Sequence, residues 1–422
     1  MEKKEYEGLD ITVFEEVLNN GLRVYLCKLP LDETYAKMTV STGLAVNKFT
    51  FEGKEYEVSP HTAHFLEHIL FNKEDGDLSY NFLKNSSQYN ATTSLDETKY
   101  CFLGYNNFYD NLKTLLRIVS EPFFTEEGIS KEKGIIEAEL KSRLGKTGTI
   151  IYDNTAKNLF HSSHYKDYNN FKKGMFEDLY AITKEELEIY YKAFYNPNNM
   201  YLVIAGNINP KEIIDFLNKN CQTLSSKCLP QIKQVHEPET VLKEKEYIQT
   251  EIKGKLIQIA YKEKIQNLEN FPLDYAMMKI YLSKKLSVLS NLKDITEKDD
   301  NYITPYVYYS LDVMDGYYVI QNYVKVKEEK DAVSILTADL QNKKITRDDF
   351  ELLKKYQITS LLKKLDYPVK IGDLITSQIK LYKKPLYNIY MIYKNLKYED
   401  FLDYINNLSF ANKSVIVYEK EI

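Results

Sequence analysis

The chain repeats itself, and that repetition constrains its fold more than any other feature. SLDETKYCFLGY (94–105) reads as a strand and is followed by the helical NFYDNLKTLLRIVS (107–120) and TEEGISKEKGIIEAELKSRL (125–144). The same order returns in the strand-like SLDVMDGYYVIQNY (310–323), EEKDAVSILTADL (328–340) and TRDDFELLKKYQITSLLKKL (346–365), with Ser310 lying 216 residues after Ser94. A helix running into an apolar strand, EELEIYYKAFYNPNNMYLVIAG (185–206), returns as EDFLDYINNLSFANKSVIVYEK (399–420), with Glu399 lying 214 residues after Glu185. Two similar offsets, far apart in the chain, point to a duplicated unit of about 210 residues. CQTLSSKCLPQIKQVHEPET (221–240) is polar, holds two prolines and has no period of either kind, so it reads as a connection. Strands and long helices mix without strict alternation. The expected class is therefore α+β: two homologous domains, each an antiparallel-rich sheet covered by helices. Their expected bounds are 1–228 for the first domain, 229–240 for a linker and 241–422 for the second domain.

Composition removes several classes of function. The net charge is −5, from 56 basic and 61 acidic side chains, and no basic block is present, so no nucleic-acid partner is expected. No apolar run approaches the roughly 18 residues that span a bilayer, so no membrane association is expected. The opening MEKKEYEGLD lacks the apolar core of a signal peptide, so a cytoplasmic protein is expected. Cys27, Cys101, Cys221 and Cys228 form no CxxC motif and are expected to stay reduced without a chemical role.

The chemistry sits in the first copy. His64-Phe65-Leu66-Glu67-His68 lies within SPHTAHFLEHILF, where Ser59 is a good N-cap and Pro60 a good first helical residue. Residues four apart share a helix face, so His64 and His68 can reach one ion, with Glu67 beside them. Two imidazoles and a neighbouring carboxylate suit Zn²⁺, and H-x-x-E-H is the inverzincin signature. His61 lies a turn earlier as a competitor. His161 and His164 are spaced i,i+3 with no nearby carboxylate and read as loop or helix-end residues, and His236 falls in the linker.

A catalytic zinc needs a third protein ligand and an open position for water. The segment 125–144 offers Glu126, Glu127, Glu132, Glu137 and Glu139. Glu132 and Glu139 are two turns apart on nearly one face, bordered by Ile129, Ile136 and Leu140. Glu137 points elsewhere. Spacing alone leaves a salt-bridged helix face as an equal reading of the pair.

HFLEH followed by EKGIIEAE resembles the pitrilysin and insulysin group of zinc peptidases. Within it, VSPHTAHFLEHILFNKEDGD and YNPNNMYLVIAGNI are similar to bacterial members of the short, two-domain branch related to mitochondrial processing peptidase. The likeness runs through nearly all of the first half and more weakly through the second. It implies His64, His68 and Glu139 as zinc ligands, Glu67 as general base and Glu132 as the carboxylate that orients the site. It also implies that a peptide substrate adds as a strand along QYNATTSLDETKY (88–100), touching Asn90, Ala91 and Thr92. Each chain would be half of a clam-shell whose closed chamber admits short or unfolded peptides.

One departure bears on the partner. Active relatives hold the substrate carbonyl with an arginine and a tyrosine seven residues apart in the second domain. The corresponding LKDITEKDDNYITPYVYYSL (292–311) has no arginine, and Arg347 is the only arginine after Arg143. The chain is therefore expected to be a zinc-dependent endopeptidase acting in a heterodimer with a related subunit that lacks HxxEH and supplies the arginine and tyrosine. The alternatives are a homodimer with a clamp built on Tyr302 or Tyr306, a non-catalytic structural subunit, and a module that binds peptides without cutting them.

Overall fold

The computed structural model describes the chain apart from residues 145, 168–173, 222–227, 234–235, 251, 253, 287–291, 305–306, 330 and 421–422. Tyr306 and parts of the expected linker lie outside the described residues. Two compact units form. The first comprises Met1–Ser142, Asn170–Gln234 and Leu362–Asn388; the second comprises Arg143–Asn169, Val235–Leu361 and Ile389–Ile422. Each unit thus takes one helical segment from the opposite half of the sequence.

The strands of the first unit are β1 (Glu2–Glu5), β2 (Thr12–Val17), β3 (Arg23–Lys28), β4 (Thr34–Val40), β5 (Lys48–Phe51), β6 (Lys54–Glu57), β7 (Asn72–Lys73), β8 (Gly76–Asp77), β9 (Gln88–Thr93), β10 (Thr98–Gly104) and β11 (Met200–Gly206). Seven form one sheet in the order β1-β2-β3-β11-β4-β10-β9; β5-β6 and β7-β8 are separate hairpins. The second unit has β12 (Lys245–Gln249), β13 (Lys255–Lys264), β14 (Tyr308–Met314), β15 (Tyr317–Val326) and β16 (Lys413–Glu419), in the order β12-β16-β13-β15-β14.

The duplication is visible strand by strand. β3-β11-β4-β10-β9 and β12-β16-β13-β15-β14 have one topology: the first pair is parallel in each and the other pairs are antiparallel. β11, MYLVIAG, is buried throughout, and the helix Pro368–Tyr382 packs against it and β4. A strand covered on both faces needs apolar side chains at every position, which explains its unbroken apolar run.

Two local features differ from expectation. The segment 310–323 is not one strand but the β14–β15 hairpin, because Asp315 and Gly316 both take positive φ, 47° and 82°, and close a tight turn. The zinc-motif helix α1 spans Thr62–Ile69, two residues later than a Ser59 cap implies. Ser59 Oγ instead accepts from His61 N–H at 3.2 Å, and Ser59 C=O accepts from Thr62 N–H, so Ser59 and Pro60 form the turn that feeds the helix. Among the helices that follow it in the first half are α2 (Ser79–Lys84), α3 (Phe108–Ser120), α4 (Glu126–Arg143) and α5 (Thr147–Leu159).

In the second unit α5 packs on β13 and β16. Its C-terminal loop is fastened by a buried ion pair. The Lys262 ammonium is 0% exposed and donates to Glu237 at 2.6 Å and to the Pro238 carbonyl at 2.6 Å. Glu237 also accepts the backbone N–H groups of His161, Ser162 and Ser163. His161 and His164 belong to this loop and the short 3-10 turn after it, as expected, and His236 is exposed. Among the described residues no helix is long and apolar enough to cross a membrane.

Candidate metal centre

α1 packs against β9, β10 and the helix Lys184–Phe194. Its first turn is anchored from that helix by Glu186, whose carboxylate accepts from Ser59 N–H at 2.9 Å and from the Thr62 hydroxyl. Seven of its eight residues are buried, including His64 and Glu67. α4 presents Ile129, Glu132, Ile136 and Leu140 as a buried stripe at i, i+3, i+7 and i+11. Glu139, two turns beyond Glu132, lies at the stripe's edge.

Three donor atoms converge. His64 Nε2 and His68 Nε2 are 3.2 Å apart, and Glu139 Oε2 lies 3.5 Å from the first and 3.3 Å from the second. Donors held about 2.0–2.1 Å from a tetrahedral zinc stand about 3.3–3.4 Å from one another. The observed triangle has that size, and its donor set of two imidazoles and one carboxylate is the one zinc takes in hydrolytic sites, so the residues fit the ion. Among the described residues His64, His68 and Glu139 are the one cluster of this kind. His61 is buried at the α1 N-cap and does not join it.

Glu132 fixes His68. The Nδ1–H of His68 donates to Glu132 Oε1 at 2.9 Å, which turns Nε2 toward His64 and Glu139. Burial works against a charge on His68, but hydrogen bonds to Glu132 and Glu139 and the charges of Glu67 and Glu132 outweigh it and hold the imidazole's pKa up to about 10 without metal. The pocket thus carries surplus negative charge and retains a proton where a cation can sit. Glu137 faces away and is tied to Tyr180 at 2.6 Å and Lys141 at 2.7 Å.

Glu67 points between α1 and the sheet edge. Its Oε2 accepts the Thr93 hydroxyl at 2.6 Å. Thr93 ends β9, and sequence reasoning missed it, although strand alternation places it on the same face as Ala91. Asn90, Ala91 and Thr92 all lie on β9, opposite Cys101, Tyr100 and Lys99 of β10, but on alternating faces. Ala91 packs on the core beneath α1, and Asn90 and Thr92 face away from it. Two further unanticipated groups, the buried Tyr100 and Tyr195, share a hydroxyl hydrogen bond of 2.8 Å. The Tyr100 ring lies 6.1 Å from Phe71, three residues after His68. Tyr302 is buried in the second unit.

Known proteins share this sequence and fold. Residues 51–168 match the family described as insulinase (peptidase family M16), and residues 181–292 match the peptidase M16 inactive domain. The chain is 30% identical over 411 residues to an uncharacterized zinc protease, YmfH, of Bacillus subtilis (strain 168), with 94% of each chain covered. It is 27% identical over 215 residues to a "probable mitochondrial-processing peptidase subunit beta" of Arabidopsis thaliana, covering 50% of this chain and 38% of that protein. The crystal structure of a "putative M16-like peptidase" from Alicyclobacillus acidocaldarius superposes with a TM-score of 0.85 at 22% identity, covering 99% of this chain and 100% of that one.

Proposed function

The chain belongs to peptidase family M16, the insulinase family, and on that premise we propose that it is a zinc-dependent endopeptidase that cuts short or unfolded peptides. The observation that carries this reading is the triangle of His64 Nε2, His68 Nε2 and Glu139 Oε2, with sides of 3.2–3.5 Å, beside a buried Glu67. These three residues would hold the zinc, and Glu132 would orient His68. When bound, zinc acts as a Lewis acid, lowering the pKa of water towards about 7 and polarising the scissile carbonyl. Glu67 takes a proton from the attacking water and returns it to the leaving amine, so no covalent intermediate is needed. The peptide lies along β9 as an added strand, held by backbone pairing that tolerates many sequences. Asn90, Ala91 and Thr92 are the contact residues.

The active form we infer is a heterodimer in the cytoplasm. Among the described residues the second unit holds no metal cluster, and the segment 292–311 contains no arginine. A related subunit without HxxEH supplies the arginine and tyrosine that hold the carbonyl. The test is a zinc-loaded chain given unstructured peptides of mixed sequence, with products read by mass spectrometry. Glu67→Gln is expected to keep one zinc per chain and lose cleavage. A weak wild-type activity that rises on adding the related subunit supports the heterodimer, and full activity alone refutes it. Absence of bound zinc refutes the whole reading.

A further inference from the structure

β9 is the outermost strand of its sheet, and among the described residues no strand pairs with its outer edge. Its side chains alternate between two faces. Thr93 bonds Glu67 of α1 and Ala91 packs on the core, whereas Gln88, Asn90 and Thr92 alternate with them; the stretch 88–92, Tyr89 and Ala91 included, lines one wall of a cavity of about 430 Å³. The floor of the cavity is Tyr35 and Lys37 of β4 with Lys99 and Cys101 of β10. Its far wall is the helix Pro368–Tyr382, through Val369 and Asp373. That wall is seated tightly: a Cβ at Gly372 would stand 2.6 Å from the Tyr35 ring, so a glycine is needed for the helix to approach.

The lining carries two ammonium groups. Lys37 is buried, lies 5.3 Å from the Tyr35 ring centroid and pairs with Asp373. Asp373 is 47% exposed, at the mouth, and is the one carboxylate among the described lining residues. Lys99 adds a second ammonium, paired outside the lining with Glu97 at 2.7 Å. Each ammonium thus has one carboxylate partner but three N–H donors, so both keep donors for a further acceptor, and Asn90 and Thr92 can donate as well as accept. A carboxylate side chain, which only accepts, can take these remaining donors.

We propose that this cavity is a side-chain subsite for a peptide strand paired with β9, and that it selects an acidic residue, glutamate before aspartate. The inference rests on the reading of β9 as the docking edge of a peptidase. Side chains directly opposite one another in paired strands share a face. The selected residue therefore belongs to the set of peptide positions that alternates with those facing Glu67.

The experiment uses decapeptides of Ala, Ser and Thr carrying one Glu, Gln or Lys, moved through every position. Zinc-loaded wild type is assayed for cleavage by mass spectrometry, and binding of the same peptides to Glu67→Gln is followed by fluorescence anisotropy. Glu is expected to exceed Lys by about tenfold in kcat/KM at positions of one parity relative to the scissile bond, the scale of one partly exposed charge-assisted hydrogen bond. Lys37→Met lowers that ratio towards one, and Asp373→Asn raises it. Cleavage without parity, or a ratio that neither variant moves, overturns the subsite and leaves the peptidase standing. Glu-selective binding that responds to both variants, with no cleavage by wild type, keeps the subsite and overturns the proteolytic reading. Neither cleavage nor selective binding overturns both.

Discussion

Replacing three glutamates of one helix, one at a time, separates the metal site from its surroundings. Glu139 supplies one of three converging donors, at 3.3 Å from His68 Nε2 and 3.5 Å from His64 Nε2. Glu132 touches only the far nitrogen of His68, at 2.9 Å. Glu137 is occupied by Lys141 and Tyr180. Glu132→Gln keeps an acceptor for Nδ1–H but removes its charge, so zinc affinity should fall about tenfold to hundredfold, or about 1.4–2.8 kcal/mol. Glu139→Gln removes a ligand and should fall beyond that range; Glu137→Gln should stay within about twofold. Affinity is read by titration against a competing chelator, and calorimetry in buffers of different ionisation enthalpy adds a second readout. The metal-free His68 holds its proton up to about pH 10, with burial opposed and outweighed by Glu132 and Glu139, and zinc needs the neutral ring. Zinc uptake at pH 8 should therefore release a proton from His68, and affinity should rise with pH until about 10 and then level. Glu132→Gln should reduce that release, because the group raising the pKa is gone. Zinc retained in Glu139→Gln, or lost equally in Glu137→Gln, would refute the ligand assignment.

Three other outcomes follow from the geometry. Thr93→Ala should lower kcat about tenfold, because Glu67 loses a hydrogen bond to its charged form, while zinc affinity holds and Thr93→Ser restores turnover; unchanged kcat in peptide-cleavage assays removes Thr93 from the mechanism. Lys73 is buried, donates to the Leu70 carbonyl at 2.5 Å, and is lowered by burial to about 7. The unfolded chain then binds the extra proton between about pH 7 and 10.5, so this group makes stability rise with pH there, by at most about 1.4 kcal/mol per pH unit, and Lys73→Met should remove that part of the slope in urea melts at stepped pH. Lys262→Met leaves Glu237 buried without its cation and should cost about 3–5 kcal/mol, whereas Lys262→Met with Glu237→Gln should cost less than the two single changes added together; additivity in denaturation would mean that the pair is not coupled.

The sequence revealed the fold through repetition rather than through the detail of any element. Offsets of 216 and 214 residues survive as two sheets with one strand order, because a duplicated backbone keeps its pairing long after its side chains diverge. Asp315-Gly316 was the turn signal inside 310–323, and apolar residues on both sides of it mask the break. The exchange of Leu362–Asn388 and Arg143–Asn169 between units leaves no mark in the sequence, since an amphipathic helix reads the same whichever sheet it covers. Nor does polarity reveal Glu237. It stands in a stretch that reads as linker, and its burial depends on Lys262, 25 residues away on a strand that is otherwise core.

A helix fixes distance, so the i,i+4 spacing of His64 and His68 put both on one face, whereas spacing left Glu132 and Glu139 open to a salt-bridged face and Glu139 entered only through the family resemblance. What spacing cannot give is which residue of one element meets which residue of another. Thr93 on Glu67 and Lys37 on Asp373 are such meetings, and both involve β9 or the cavity beneath it. That placement ties catalysis to binding. On the proposed reading, a peptide paired along β9 would immobilise the strand whose last residue, Thr93, donates to Glu67, and its alternate side chains would fall either beside Glu67 or over Lys37. One edge strand would then set substrate backbone, base position and side-chain selection together. Changes to its even-numbered residues should alter which peptides are cut, and changes at Ala91 and Thr93 should alter how fast.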